Sequence, residues 1–121
     1  MIDFKVKSGS PEKQRSSCLV LAVYEDQGMS PSARVIDKSS KGTISRLIKR
    51  GDITGECGET ILLPEIGNIQ ADRVLLVGCG NEDDFDNSKL LKITAKVIQR
   101  LQVKKINEAM LFLPEIDIGR Y

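Results

Sequence analysis

Six consecutive residues, Cys18-Leu19-Val20-Leu21-Ala22-Val23, are apolar without interruption. A strand with one wet face alternates apolar and polar side chains, because neighbouring side chains point to opposite faces of a sheet. An unbroken run has no face to give to water. It suits an interior strand covered on both sides, the position characteristic of parallel or mixed sheets flanked by helices. The run is also far short of the ~20 residues that a membrane-spanning helix needs, so no membrane contact is expected. Met1-Ile2-Asp3-Phe4-Lys5 carries no apolar stretch or cleavage-like site and does not read as a secretory signal, so a cytoplasmic chain is expected.

The remaining segments supply partners for that strand. Ile2 to Lys7 alternates apolar and polar, as a half-buried strand does, and Ser8-Gly9-Ser10-Pro11 breaks it. Ser30-Pro31 reads as a helix start, with Ser30 as N-cap and Pro31 at the first helical position, where its missing N–H costs nothing. This helix carries Ala33 and Ile36 inward and ends at Lys41-Gly42. A second short helix runs from Thr43, with Ile44, Leu47 and Ile48 at helical spacing, to a left-handed cap at Gly51. Thr60–Leu63 and Arg73–Val77 are strands, ended by Pro64 and by Gly78-Cys79-Gly80. Acidic Glu82–Asp86 leads into a helix over 87–102 with Leu90, Leu91, Thr94, Val97, Ile98 and Leu101 as its apolar stripe. Ala109–Leu113 is the last strand, stopped by Pro114. The unit strand 74–77, helix, strand 109–113 makes those two strands parallel. The expectation is a single α/β domain over residues 1–121, a mixed β-sheet flanked by helices.

Side-chain chemistry narrows the function. The 121 residues include no histidine. Ser-His-Asp and Cys-His nucleophilic catalysis, imidazole base chemistry and histidine-bearing zinc sites are therefore all excluded. Ser16, Ser17 and Ser45 have no base to activate them and no Gly-x-Ser-x-Gly elbow. Cys18, Cys57 and Cys79 are odd in number, widely spaced and without a CxxC, so they read as free thiols. Cys18 and Cys79 fall in apolar runs and should be core, with Cys57 more exposed. Gly78-Cys79-Gly80 stands where a phosphate-binding loop would, between strand and helix. The third glycine of that motif is replaced by Asp83, and Glu82, Asp83, Asp84 and Asp86 would repel a phosphate. The same acids lack the spacing of a calcium loop and read as a solvated helix start that suits the helix dipole. No catalytic, cofactor-binding or metal residue is assigned.

Charge is unevenly spread beneath a net charge of +1. Residues 1–50 carry 10 basic and 5 acidic groups, residues 51–87 carry 1 and 9, and residues 88–121 carry 7 and 3. Lys41, Arg46, Lys49 and Arg50 cluster about one short helix. They are the candidate contact for a nucleic-acid backbone, against the plainer reading of a solvated face.

Several segments together resemble the N-terminal domain of bacterial leucyl aminopeptidases, the cytosol aminopeptidase family. They are Phe4–Arg15, Lys41–Ser45 with Arg50–Asp52, Gly58–Leu63 and Asp72–Gly80, in order and spread over essentially the whole chain. The resemblance implies a macro-domain-like α/β fold. It also implies a parent enzyme that is a cytoplasmic metallo-exopeptidase, removes N-terminal residues with leucine among those preferred, uses two zinc or manganese ions and assembles as a hexamer. Two close metals would activate a bridging water. In the family those ligands, and the catalytic lysine and arginine, belong to a larger C-terminal domain, so none is carried over onto a residue here. The stop at Tyr121, just past the last strand, is abrupt for a complete α/β domain and is expected to belong to a piece of a longer chain. This chain alone is then an inactive accessory domain whose partner is the catalytic domain. Some family members bind DNA, which the basic stretches would allow, though no residue matches a contact motif. Two other readings stand beside it: a free-standing macro-type nucleotide-binding module, although Asn-rich and Gly-rich loops for ADP-ribose are not found, and a DNA-binding module.

Overall fold

The computed structural model describes residues 3–6, 10–26 and 28–112, with side chains from residue 10 onward. Its strands are β1 (Asp3–Val6), β2 (Leu19–Tyr24), β3 (Gly28–Met29), β4 (Thr60–Leu63), β5 (Val74–Gly78) and β6 (Glu108–Phe112). Its helices are α1 (Pro31–Ser39), α2 (Thr43–Arg50) and α3 (Asn87–Val103), with single 3-10 turns at Pro11–Lys13 and Glu82–Asp84. Ser8, Gly9, Leu113 and Pro114, given above as breakers or strand end, lie outside the described residues.

The sheet runs β1-β6-β2-β5-β4. β1, β6, β2 and β5 are mutually parallel, and β4 is antiparallel to β5, so the sheet is mixed as expected. β5 and β6 are parallel but not adjacent: β2 lies between them, and α3 crosses over it. The apolar run is therefore the central strand. β5 pairs with one edge of β2 along Leu19–Val23. β6 pairs with the other only along Leu19–Leu21, and the short β3 pairs with Val23 and Tyr24 beyond that point.

Both faces of β2 are covered. Leu19, Leu21 and Val23 join Val74, Leu76, Met110 and Phe112 beneath Ala33, Ile36 and Ile44 of α1 and α2. Val20, Ala22 and Tyr24 join Leu75, Val77, Cys79 and Ala109 beneath Ile93, Val97 and Leu101 of α3. All six β2 residues are buried, which is why no polar side chain interrupts them.

The local signals act as the sequence implies. The Ser30 hydroxyl accepts from the Ala33 N–H at 3.2 Å, with Pro31 opening α1. Lys41 (φ 61°) and Gly42 (φ 84°) turn the chain between α1 and α2, and Gly51 caps α2 in the left-handed region. Asp86 caps α3 by accepting from the Lys89 N–H at 2.9 Å. The stripe of α3 needs correction. Ile93, Val97 and Leu101 are buried, and Leu91 is 71% exposed. At ~100° per residue, Ile93 and Leu101 lie ~40° either side of Val97, whereas Leu91 lies ~120° away.

Candidate functional site

The basic cluster sits on α2 and the turn before it. The four side chains do not act as one charged face, because two are engaged by the chain itself. The Arg46 guanidinium donates to the Lys41 carbonyl at 2.8 Å and to the Thr43 hydroxyl at 3.4 Å. That bond holds Lys41 in its left-handed conformation and covers the end of α1. Arg50 is paired with Asp52, with its Nε 3.0 Å from Oδ2. Lys41 and Lys49 are exposed and make no ion pair among the described residues. Asp37 supplies the anchor that positions α2, accepting from the Ser45 N–H at 2.8 Å and also from the Ser45 hydroxyl. Ser45 is thus a structural residue: Asp37 caps the first turn of α2 through it.

In open α/β sheets ligands bind beyond the carboxyl ends of the strands. Here that crest is formed by Tyr24–Asp26 after β2 and Gly78-Cys79-Gly80 at the end of β5. The segment Thr54–Glu59 is seated on it. The Glu59 carboxylate accepts from the N–H groups of Thr54 and Gly55, each at 2.9 Å, which curls the segment. Gly58 (φ 93°) then forms a glycine β-bulge: its N–H donates to the Gly78 carbonyl at 3.0 Å, and the Gly78 N–H donates to the Glu59 carbonyl at 2.7 Å. The N–H groups of Cys79 and Gly80 donate to the carbonyls of Val23 and Gly55, at 2.9 and 2.7 Å. All three N–H groups of Gly78-Cys79-Gly80 therefore have backbone acceptors. None is left to cradle a phosphate, and Glu82, Asp83, Asp84 and Asp86 are exposed nearby. The glycines serve close packing: a β-carbon on Gly78 would lie 2.0 Å from the Glu56 carbonyl oxygen, and one on Gly55 would lie 2.5 Å from the Tyr24 carbonyl carbon.

Cys79 and Tyr24 at this end, and Cys18 at the opposite end of β2, are held in their neutral forms. Burial, reinforced by nearby Cys57, pushes Cys79 up to about 12. Burial pushes Cys18 up to about 12 as well. Burial raises Tyr24 well above the ordinary tyrosine range, helped by Cys79, Glu82 and Asp26. A thiol is a nucleophile or metal ligand only as the thiolate, so Cys18 and Cys79 are core residues. Cys57 is half-buried, and all three cysteines are free. Among the described residues no three His, Cys, Asp or Glu side chains come together as a metal site would require.

Ser16, weighed above as a nucleophile, is buried. Its hydroxyl lies 2.8 Å from Glu108 Oε1 and 3.0 Å from the Cys18 carbonyl oxygen. Ser16 precedes β2, Asp72 precedes β5 and Glu108 opens β6, so the fold brings three distant polar residues to the amino ends of the parallel strands. Sequence reading gave no sign of this grouping, since only the strand order creates it.

Comparison with known proteins agrees with the architecture. The family model described as "Cytosol aminopeptidase family, N-terminal domain" matches residues 20–121. A probable cytosol aminopeptidase of Halorhodospira halophila is 44% identical over 117 residues, covering 97% of this chain and 23% of its own length. The chain thus spans about a quarter of that relative. Among solved structures, the macrodomain of Mycobacterium tuberculosis DarG superposes with a TM-score of 0.67 at 11% identity, over 92% of this chain and 76% of its own. A mutant of the Oceanobacillus iheyensis macrodomain superposes with a TM-score of 0.65 at 14% identity, over 88% and 61%. The α/β fold is macro-domain-like, and with the family model spanning most of the residues and the relative aligned along nearly all of them, the chain belongs to the cytosol aminopeptidase family as its N-terminal domain.

Proposed function

We propose that this chain is the non-catalytic N-terminal domain of a leucyl aminopeptidase, an enzyme that removes N-terminal residues from peptides in the cytoplasm. The observation that carries the reading is the 44% identity along 97% of the chain to a probable cytosol aminopeptidase four times its length. In this reading the domain packs against the catalytic domain and helps shape a hexamer. The parent's two zinc or manganese ions fit no group of residues described here. No step of peptide hydrolysis is therefore assigned to this chain. The lack of histidine and the neutral state of Cys18 and Cys79 support the same division of labour.

The pure chain should not cleave a leucyl chromogenic substrate, with or without added manganese or zinc. Metal-dependent turnover by the pure chain would overturn the non-catalytic reading. A second role, contact with a nucleic-acid backbone, draws its support from Lys41 and Lys49, the two members of the basic cluster exposed without an ion-pair partner among the described residues. Nucleotide binding at the crest finds less support, because the segment Thr54–Glu59 already occupies its backbone donors.

A further inference from the structure

We propose that a pocket at the amino ends of the parallel strands binds a free amino acid with a cationic side chain. The pocket has a volume of about 420 Å³ and is lined by Arg15, Ser16, Ser17, Gln70, Asp72 and Glu108. It is an open depression: Arg15, Gln70 and Asp72 are exposed at its rim, with Ser16 buried and Glu108 half-buried at its wall. It opens at the end of the sheet opposite the crest, and its walls are tied together. The Asp72 N–H donates to the Ser16 carbonyl at 3.0 Å, the Gln70 N–H donates to the Glu12 carbonyl at 3.1 Å, and the Leu19 N–H donates to the Arg73 carbonyl at 3.0 Å. Ser16 holds one oxygen of Glu108, which fixes that carboxylate at the wall.

The lining selects its ligand by charge. One guanidinium and two carboxylates share the cavity, yet neither Asp72 nor Glu108 forms an ion pair with Arg15 among the described residues. A ligand with separated charges can bridge them. Its carboxylate would meet Arg15, which is built for planar bidentate recognition. Its ammonium groups would meet Asp72 and Glu108. The six lining residues carry a net charge of −1. The Arg73 guanidinium behind them is turned to the Ser17 carbonyl at 3.5 Å, which leaves Asp72 and Glu108 to meet the two ammonium groups of a ligand such as lysine. A phosphate would face two carboxylates against one arginine. A divalent cation would face Arg15 and only two carboxylates. An apolar ligand would strip water from six polar side chains without replacing their hydrogen bonds.

The test is a titration of the isotope-labelled chain with L-lysine at low salt, followed by the backbone amide signals of Ser16, Ser17, Asp72 and Glu108. Saturable shifts confined to that group are expected, with a Kd of about 1 mM for a ligand of this size. Asp72→Asn and Glu108→Gln should each weaken binding about tenfold. Both are isosteric, and Glu108→Gln can keep an oxygen facing Ser16. Arg15→Gln should weaken L-lysine while leaving butylamine unchanged, since butylamine has no carboxylate. The absence of saturable shifts at about 20 mM L-lysine would overturn the proposal. So would equal binding by all three variants. Butylamine binding as tightly as L-lysine would also overturn it, and would assign the pocket to the lysine side chain of a protein partner.

Discussion

Replacing Gly78 by alanine tests the seating of the segment Thr54–Glu59 on the sheet. Gly78 ends β5, is buried, and has a backbone outside the left-handed region, so alanine is conformationally acceptable there. The obstacle is space: the new methyl would lie 2.0 Å from the Glu56 carbonyl oxygen and 2.8 Å from the Gly55 carbonyl carbon. Both are backbone atoms, so no flexible side-chain tip can yield. Either β5 distorts, at a cost typical of overpacking of about 1–3 kcal/mol, or the segment lifts. Lifting breaks the bonds Gly58 to Gly78, Gly78 to Glu59 and Gly80 to Gly55, each worth about 1 kcal/mol. By either route a loss of up to about 3 kcal/mol is expected, a large part of the roughly 5–15 kcal/mol that holds a domain together. Urea unfolding should show the midpoint lowered by about 1.5 M, given slopes of about 1–3 kcal/mol/M. Gly67→Ala is the control. A β-carbon there meets nothing within 4 Å and the backbone is ordinary, so its midpoint should hold or rise slightly. A Gly78→Ala midpoint equal to the parent's would refute the reasoning and mean that the segment is not packed against β5.

Alkaline stability should report the two buried thiols. Their folded-state values near 12 exceed the ordinary 9.0, so the unfolded chain releases these protons first. Stability is complete below about pH 9 and falls as pH rises toward about 12, by up to about 1.4 kcal/mol per pH unit for each thiol. Cys79→Ala should lower that slope in urea unfolding at successive pH values, and an unchanged slope would contradict the assignment. For duplex DNA, two phosphate contacts from Lys41 and Lys49 predict an affinity that falls about tenfold between roughly 50 and 200 mM salt. No retardation of a duplex at low salt would end the nucleic-acid reading.

Most of the architecture was legible because its signals are local. A six-residue unbroken apolar run suits an interior strand, and β2 proves central. Ser30-Pro31 and Gly51 mark helix ends through backbone chemistry confined to a turn. The burial pattern of α3 was read less well. Leu90-Leu91 invites inclusion of both leucines, but a helix offers one face, and that face centres on Ile93, Val97 and Leu101. Strand adjacency was not legible at all: a parallel crossover fixes direction, and nothing in β5, α3 or β6 announces that β2 lies between them. The two-residue β3 pairs only with the two residues at the end of β2, too short a run for any period to register. The basic cluster was visible as charge, while its use was not. Arg46 and Arg50 bond to Lys41, Thr43 and Asp52 through geometry that a count of charges cannot contain.

Likeness to macrodomains, at 11% and 14% identity, concerns the fold alone, and a fold hosts function only where its sites are built for it. The crest of this sheet illustrates the distinction. Its glycines sit where a strand meets a helix, a position that elsewhere frees backbone N–H groups for an anion. Here the same lack of side chains serves a different end. Gly55 and Gly78 allow one stretch of backbone to lie directly on another, and Gly58 supplies the bulge that turns Thr54–Glu59 down onto β5. The donors are spent within the chain, and the acids that follow oppose a phosphate. The other end of the sheet has the opposite character. Ser16, Asp72 and Glu108 open onto a polar cavity beside Arg15, with charges that find no partner in one another among the described residues. Among the described residues, a crest whose Gly78-Cys79-Gly80 donors are engaged and an open amino end reverse the usual polarity of an α/β binding domain. The amino end of the strands is therefore where ligand binding should first be sought.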